Sequence, residues 1–202
     1  MPELDMEPAG ALPAEDLVDL PRDVDIQSTV LAACKPMAMF NLRLDPADEE
    51  GCEQIRAAFG LALPVAANTR EIEAEREALW LGPDEWLLSA PAAERDTVAA
   101  ELHGALVGRF SSLSDVSDAF TRLRVSGRHG RDMLAKGCPL DLHPSVFQAP
   151  AVAGTVVAKS QATLVALESG AIEVVVRRSF ADYLWRWLKH AGSDYGVVIG
   201  AL

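Results

Sequence analysis

No stretch of the 202-residue sequence approaches the roughly 20 consecutive apolar residues that carry a helix across a bilayer, which argues against a membrane partner. Its opening, MPELDMEPAG, lacks the basic and apolar regions of a secretory signal. Cysteine is scarce. Cys34, Cys52 and Cys138 are odd in number and share no paired spacing, which fits reduced thiols in a cytoplasm better than a disulfide framework. Basic residues are in deficit, with 18 Lys and Arg against 30 Asp and Glu and a formal charge of −12. A chain that repels phosphate in this way is not a nucleic-acid binder. Gly-x-Gly never occurs, so the turn that cradles a dinucleotide pyrophosphate is missing. There is also no Walker loop, no Cys-x-x-Cys, no HExxH and no GxSxG elbow.

What remains is an ordinary globular composition, half of it apolar, preceded by an acidic stretch. Residues 1–25 carry eight acidic side chains against Arg22 alone, with Pro2, Pro8, Pro13 and Pro21 interrupting them. Residues 1–29 therefore read as a disordered acidic tail. It is either a solubilising arm or a strap lying on a basic partner.

From about residue 30 the pattern of strands and helices runs through the same order twice. MAMFNLRL (37–44) places Phe40, Leu42 and Leu44 on one face and Asn41 and Arg43 on the other, the period of a strand. Asp45-Pro46 offers a cap and a first-turn proline to a helix burying Cys52, Ile55 and Phe59. ALWLGPDEWLLSAP reads as a hairpin turning at Gly82-Pro83-Asp84-Glu85. A second helix, about Ala92 to Val107, turns Val98, Leu102, Ala105 and Leu106 inward.

The order then repeats. A strand over 116–125 breaks at Ser126-Gly127, and the short helix RHGRDMLAKG stops at Gly137. ATLVALESGAIEVVV is a hairpin, and a final helix begins at Ser179 with Asp182 as capping-box partner. DYGVVIG adds a closing strand. The predicted class is α+β: a duplicated strand–helix–strand–strand–helix unit, its antiparallel sheets packed by helices, with halves of about 30–110 and 111–202.

One segment resembles a site. KGCPLDLHP sets Cys138, Asp141 and His143 within six positions. A nucleophilic cysteine is activated by a helix N-terminus or a nearby base, whereas Cys138 follows a helix C-terminus. Cys-x4-His is no zinc spacing, and the alternation of Leu140 and Leu142 with Asp141 and His143 fits a short extended turn. His103 and His190 fall late in predicted helices, where the helix dipole favours a cation. The expectation is a chain with no catalytic residue, no cofactor-binding residue and no metal ligand.

In the last helix Phe180, Leu184, Trp187, Leu188 and Ala191 form the predicted core stripe. Trp185 stands about 140° round from Phe180, beside Ala181, Asp182 and Lys189. Either the chain's own loop covers this indole or a partner does.

The strings ALWLGPDEWLLSAP, SGRHGRDMLAKGCPLDLHP and RSFADYLWRWL, in that order, resemble the gamma subunit family of bacterial heterotetrameric sarcosine oxidase, over roughly residues 30–200. That family is similar in turn to the folate-binding domain of aminomethyltransferase, the T-protein of glycine cleavage. The resemblance implies a non-catalytic small subunit that assembles with alpha, beta and delta subunits, chiefly alpha. The implied complex oxidatively demethylates sarcosine to glycine, with methylenetetrahydrofolate and hydrogen peroxide as the other products. FAD, FMN, NAD, zinc and the tetrahydrofolate site are then expected on the other subunits.

In the T-protein family the working carboxylate follows a motif of the form Gly-Gly-x-x-Asp-Asp. The comparable stretch here, GTVVAKSQATLVAL, is without acid and puts Gln161 or Ala162 in that place. The chain departs from the common pattern at Asp118, Ser126-Gly127-Arg128 and Gly130-Arg131-Asp132. Arg128, Arg131 and Trp185 are the candidate partner-interface residues. The alternatives are a free-standing folate or one-carbon binding protein, and a subunit of an oxidase or dehydrogenase for another N-methyl amino acid.

Overall fold

A computed structural model describes residues 12–20 and 28–202. The chain enters with β1 (Val30–Ala33), then β2 (Met37–Leu44), α1 (Glu49–Phe59), β3 (Arg70–Glu73), β4 (Arg76–Gly82), β5 (Glu85–Pro91), α2 (Arg95–Ala105) and β6 (Ser111–Asp115). It continues through β7 (Phe120–Ser126), α3 (Gly130–Ala135), β8 (Val152–Val157), β9 (Ser160–Ala166), β10 (Ile172–Arg177), α4 (Arg178–Ala191) and β11 (Val198–Ala201). These elements build two compact units, Pro36–Ser117 with Ala149–Ala153, and Met1–Lys35 with Asp118–Gln148 and Gly154–Leu202.

In the first of these units the alternation of β2 does what its letters dictate. Phe40, Leu42 and Leu44 are buried, and Arg43 points outward to pair with Asp84 at 2.8 Å. The three apolar residues form one cluster with Ile55 and Phe59 of α1, Val98 and Leu102 of α2, and Trp86 and Leu88 of β5. Each such fully buried side chain contributes about 1.5–3 kcal/mol. The Trp86 indole also satisfies its N–H on the Pro64 carbonyl at 2.8 Å. The sheet order is β3-β4-β5-β2-β6, and the β4–β5 hairpin turns at Pro83-Asp84 as expected.

The cap of α1 differs from the expectation. Asp48, not Asp45, accepts from the Gly51 N–H at 3.0 Å, while Asp45 closes a tight turn by accepting from the Ala47 N–H at 2.9 Å. The reason is Arg109, whose guanidinium holds both Asp48 oxygens at 2.6 and 2.8 Å and fixes the carboxylate beneath the helix. The second helix likewise starts later than its pattern suggests, because Ala92–Glu94 is a 3-10 turn before α2.

The second unit carries the order β11-β1-β7-β10-β9-β8. Every pairing with a resolved register in it is antiparallel except β1 with β11. α3 packs on β7 and α4 on β10 and β7. Their contacts bury Leu123, Val125, Met133, Leu134, Leu184 and Leu188. On the opposite face of the sheet Glu173 accepts from Arg122 at 3.2 Å and from Arg124 at 2.6 Å, and both Glu173 and Arg122 are buried. That cluster is possible only because each charge has a partner.

Strand for strand, β3-β4-β5-β2-β6 matches β8-β9-β10-β7-β1. The duplication is therefore real in topology, but the leading strand of each repeat is exchanged. β1 opens the first repeat and pairs with β7 of the second; β6 opens the second and pairs with β2 of the first. Cutting the sequence at residue 110 leaves each compact unit a strand out of place, because alternation cannot say which sheet a strand joins.

α4 also departs from its reading. Ser179 is not its cap: the helix begins at Arg178, and Asp182 accepts from Arg186 at 2.8 Å instead of closing a capping box. The buried stripe is Ala181, Leu184, Trp185, Leu188 and Ala191, with Phe180 44% exposed. The face is rotated toward Trp185, and the cause lies outside the helix.

Candidate functional site

The cover over Trp185 is the segment that was read as tail. Residues 14–16 form a 3-10 turn, and Asp16 accepts from the Trp185 indole N–H at 2.8 Å and from Lys189 Nζ at 2.6 Å. Beyond it the chain runs along the edge of β11: the Ala201 N–H donates to the Val18 carbonyl at 2.9 Å and the Leu20 N–H to the Ala201 carbonyl at 3.2 Å. For residues 12–20 the disordered-tail expectation is corrected; the rest of that acidic stretch, 1–11 and 21–27, lies outside the described residues. The partner-interface assignment of Trp185 is corrected too, since its side chain is fully buried by its own chain.

Lys189 holds the Asp16 carboxyl below its usual range, helped by the indole N–H and opposed by desolvation. A carboxylate whose folded pKa is depressed stabilises above the unfolded value near about 3.9 and loses that contribution as pH falls through the folded value. Arg186 adds attraction at longer range. The expected outcome is that the Trp185 indole N–H, followed by NMR, becomes solvent-exchangeable on acidification below about pH 4. In Asp16→Asn the Lys189 contact is weaker at neutral pH and this acid step is lost; an unchanged acid profile in that variant would refute the assignment.

KGCPLDLHP is a built turn in which the candidate residues serve the backbone. Gly137 sits directly under Trp187, where an added Cβ would meet the ring at 2.6 Å, and its carbonyl accepts from Ala158 at 2.9 Å. Cys138 is buried, with Thr155 Oγ1 at 3.9 Å. Asp141 accepts from the His143 N–H at 2.9 Å, and His143 Nδ1 accepts from the Ser145 N–H at 3.2 Å. Leu142 faces in while Asp141 and His143 face out. The structure therefore gives each of Cys138, Asp141 and His143 a separate neighbour. Among the described residues no group of three His, Cys, Asp or Glu could hold a metal ion.

Arg131 completes the turn from below. Its guanidinium donates to the carbonyls of Leu142 at 2.6 Å, Phe147 at 2.8 Å and Gly170 at 3.2 Å. Arg131 is thus an internal clamp, which corrects its place among the partner-interface candidates, and burial pulls its pKa down. Arg128 is exposed and has no ion pair among the described residues. His103 Nδ1 lies 2.7 Å from the Ala99 carbonyl in the last turn of α2, and His190 is exposed in that of α4. His129 stacks on Tyr195 with centroids 4.8 Å apart.

The stretch compared with the folate-anchoring strand forms the β8–β9 hairpin. Its outer face borders a cleft of about 610 Å³ lined by Gly154, Val156, Gln161, Thr163, Phe120 and Arg177, among others. Gln161 opens into this cleft, and Ala162 is 7% exposed. No cleft-lining residue is acidic, so the cleft lacks a group that could take a proton from an amine. The sequence reading missed Asp16 as the partner of Trp185. Its signal was visible only as a tryptophan on a polar helix face together with an excess of acid elsewhere.

These elements define an α+β fold of the aminomethyltransferase type. An aminomethyltransferase T of the glycine cleavage system from Bartonella henselae superposes with a TM-score of 0.63 at 14% identity, over 86% of this chain and 48% of that one. A chain of the heterotetrameric sarcosine oxidase from Corynebacterium sp. U-96 in complex with pyrrole 2-carboxylate superposes with a TM-score of 0.79 at 26% identity, over 91% of each chain. The sarcosine oxidase subunit gamma of an Arthrobacter species is 34% identical over 146 residues, 72% of this chain and 71% of the relative. The corresponding subunit of Corynebacterium sp. strain P-1 is 33% identical over the same length. The model of the sarcosine oxidase, gamma subunit family matches residues 43–194, and the chain belongs to that family.

Proposed function

We propose that this chain is the gamma subunit of a heterotetrameric sarcosine oxidase and that its part in the complex is architectural. The complex demethylates sarcosine oxidatively, with the one-carbon unit passing to tetrahydrofolate. FAD, FMN, NAD, zinc and the folate site reside on the alpha, beta and delta subunits, and alpha is the chief docking partner. The three free thiols suit a cytoplasmic setting. One observation carries the reading: in KGCPLDLHP Asp141 and His143 are engaged in holding the turn, and Cys138 is buried beside Thr155 of β8, apart from both.

The inherited pocket chemistry does not fit folate. Where the resemblance to the aminomethyltransferase type implies a carboxylate, this chain offers Gln161 or Ala162, and an amide or a methyl group can neither ion-pair with nor deprotonate a folate amine. No step of the reaction is therefore routed through this chain. A shared scaffold need not keep a shared activity.

The isolated chain is expected to show no flavin absorbance and no sarcosine turnover, and co-expression with the other three subunits to give a complex stable to gel filtration. Two results would overturn the proposal: a chain that always elutes alone, or calorimetric binding of tetrahydrofolate to the isolated chain at micromolar affinity. The same complex assayed against other N-methyl amino acids identifies its substrate.

A further inference from the structure

The edges of the two sheets are not treated alike. β11 is covered by Val18–Leu20. β3, sequence REIE, is four residues long and almost entirely charged; β6, sequence SSLSD, is short and ends in Asp115, bound to Arg95 at 2.7 Å. These are the usual defences of an edge against adventitious strand pairing. β8, sequence VAGTVV, is tied to its own chain at its two ends, by the Val152 N–H on the Asn68 carbonyl and the Ala158 N–H on that of Gly137, but between them it has neither charge nor proline, and Val156 is 42% exposed.

The hydrogen-bonding groups on that edge can be assigned. At the start of β8 the Val152 N–H points away from β9 and donates to the Asn68 carbonyl at 2.8 Å. Outward and inward groups alternate along an antiparallel strand, so the N–H and C=O of Gly154 and Val156 point the same way. Among the described residues they meet no backbone partner there. A Cβ at Gly154 would touch nothing within 4 Å.

Charge marks the occupant. Most basic side chains of this acidic chain are bound in ion pairs, as in Arg43–Asp84, Arg56–Glu53, Arg76–Glu94, Arg109–Asp48 and Lys189–Asp16. Lys159, Arg177 and Arg178 form none among the described residues. β9 starts at Ser160 and its Ala162 faces Val176, so the Lys159 turn and the end of β10 share one end of the sheet. There Arg177 lies over the Phe120 ring at 5.6 Å and borders the cleft beside Gly154 and Val156.

We infer that β8 is a docking edge that takes an extended, acidic segment of a partner subunit by strand addition, with Arg177 and Lys159 binding its carboxylates. Main-chain bonds to Gly154 and Val156 supply the pairing, and the cationic end sets the direction of the added strand. This inference rests on the gamma-subunit reading. A second copy of this chain is the poorer occupant, because β8 carries no acid to meet those cations.

The test compares amide hydrogen exchange across β8 in the isolated chain and in the co-expressed complex, alongside the double variant Lys159→Glu/Arg177→Glu. Exchange at Gly154 and Val156 is expected to slow at least tenfold in the complex. The double variant, which melts like the parent chain, is expected to bind the other subunits about tenfold or more weakly. An intact complex in which both amides keep their free rates overturns the inference and leaves the subunit reading standing. Protection of β8 in a homodimer of the isolated chain overturns it as well. Failure to form any complex removes the subunit reading and the inference with it.

Discussion

Trp185→Ala is expected to destabilise the isolated chain by about 3–5 kcal/mol, the range for truncating a fully buried aromatic residue. In a chain of this size that lowers the melting temperature by roughly 10 °C. The indole is fully buried, and its removal opens a cavity beneath the Asp16 turn while leaving the Asp16 carboxylate with Lys189 alone. Trp185→Phe separates the two contributions: it keeps much of the ring and loses only the N–H bond, for an expected cost of about 1–2 kcal/mol. A side chain waiting for a partner subunit behaves otherwise, leaving the melting temperature of the free chain almost unchanged. Thermal unfolding of the three proteins decides between the two descriptions.

The second large effect is at Gly127. Its φ of +82° lies in the left-handed region, and a Cβ there would stand 1.7 Å from the Ser28 carbonyl oxygen, a backbone atom that no rotamer change can move aside. Gly127→Ala is therefore expected to cost more than about 3 kcal/mol, or to prevent folding, because β1 and β7 must separate at that point. Gly108→Ala is the matched control. Its φ is +78° with nothing within 4 Å, so it carries the conformational penalty alone, about 1 kcal/mol. Urea midpoints measure both. Equal losses at the two positions would mean that the Ser28 approach is looser than 1.7 Å implies.

Much of this was legible in the sequence where the signal is local. Alternation in MAMFNLRL and the proline turn in GPDE each depend on neighbours in the chain, and both elements appear where their letters put them; the helix after Gly127 instead ends at Ala135 with Lys136 as its cap, ahead of the glycine expected to stop it. The α+β class and the doubling followed from the order of those elements. What escaped depends on distant partners. Asp45 and Asp48 are equally good caps by sequence, and only Arg109, sixty-one residues on from Asp48, selects between them. β1 and β6 are short and carry no period of their own, so neither strand nor sheet could be read.

The candidate site divides the same way. Proline after Cys138 and the alternation of Leu140 and Leu142 with polar residues foretold a turn in KGCPLDLHP, and its Asp141 and His143 bonds are local. Arg131 was read as surface because nothing nearby in sequence says that three carbonyls, one of them at Gly170, converge on its guanidinium. Trp185 was ambiguous for a related reason, since its cover lies 169 residues away at Asp16.

The exchange of leading strands sets the order of events during synthesis. Ala33 must wait for Leu123, ninety residues later, before β1 has a neighbour, and longer still for β11. At ribosomal speeds of about 5–20 residues per second that delay is roughly 5–18 s. During it an apolar VLAA segment emerges with nothing to pair against. The five-stranded sheet has all its strands once β6 has emerged at Asp115, whereas the six-stranded sheet waits for β11 at Ala201, so the two sheets are completed at different times and β1 is the strand held longest without a neighbour.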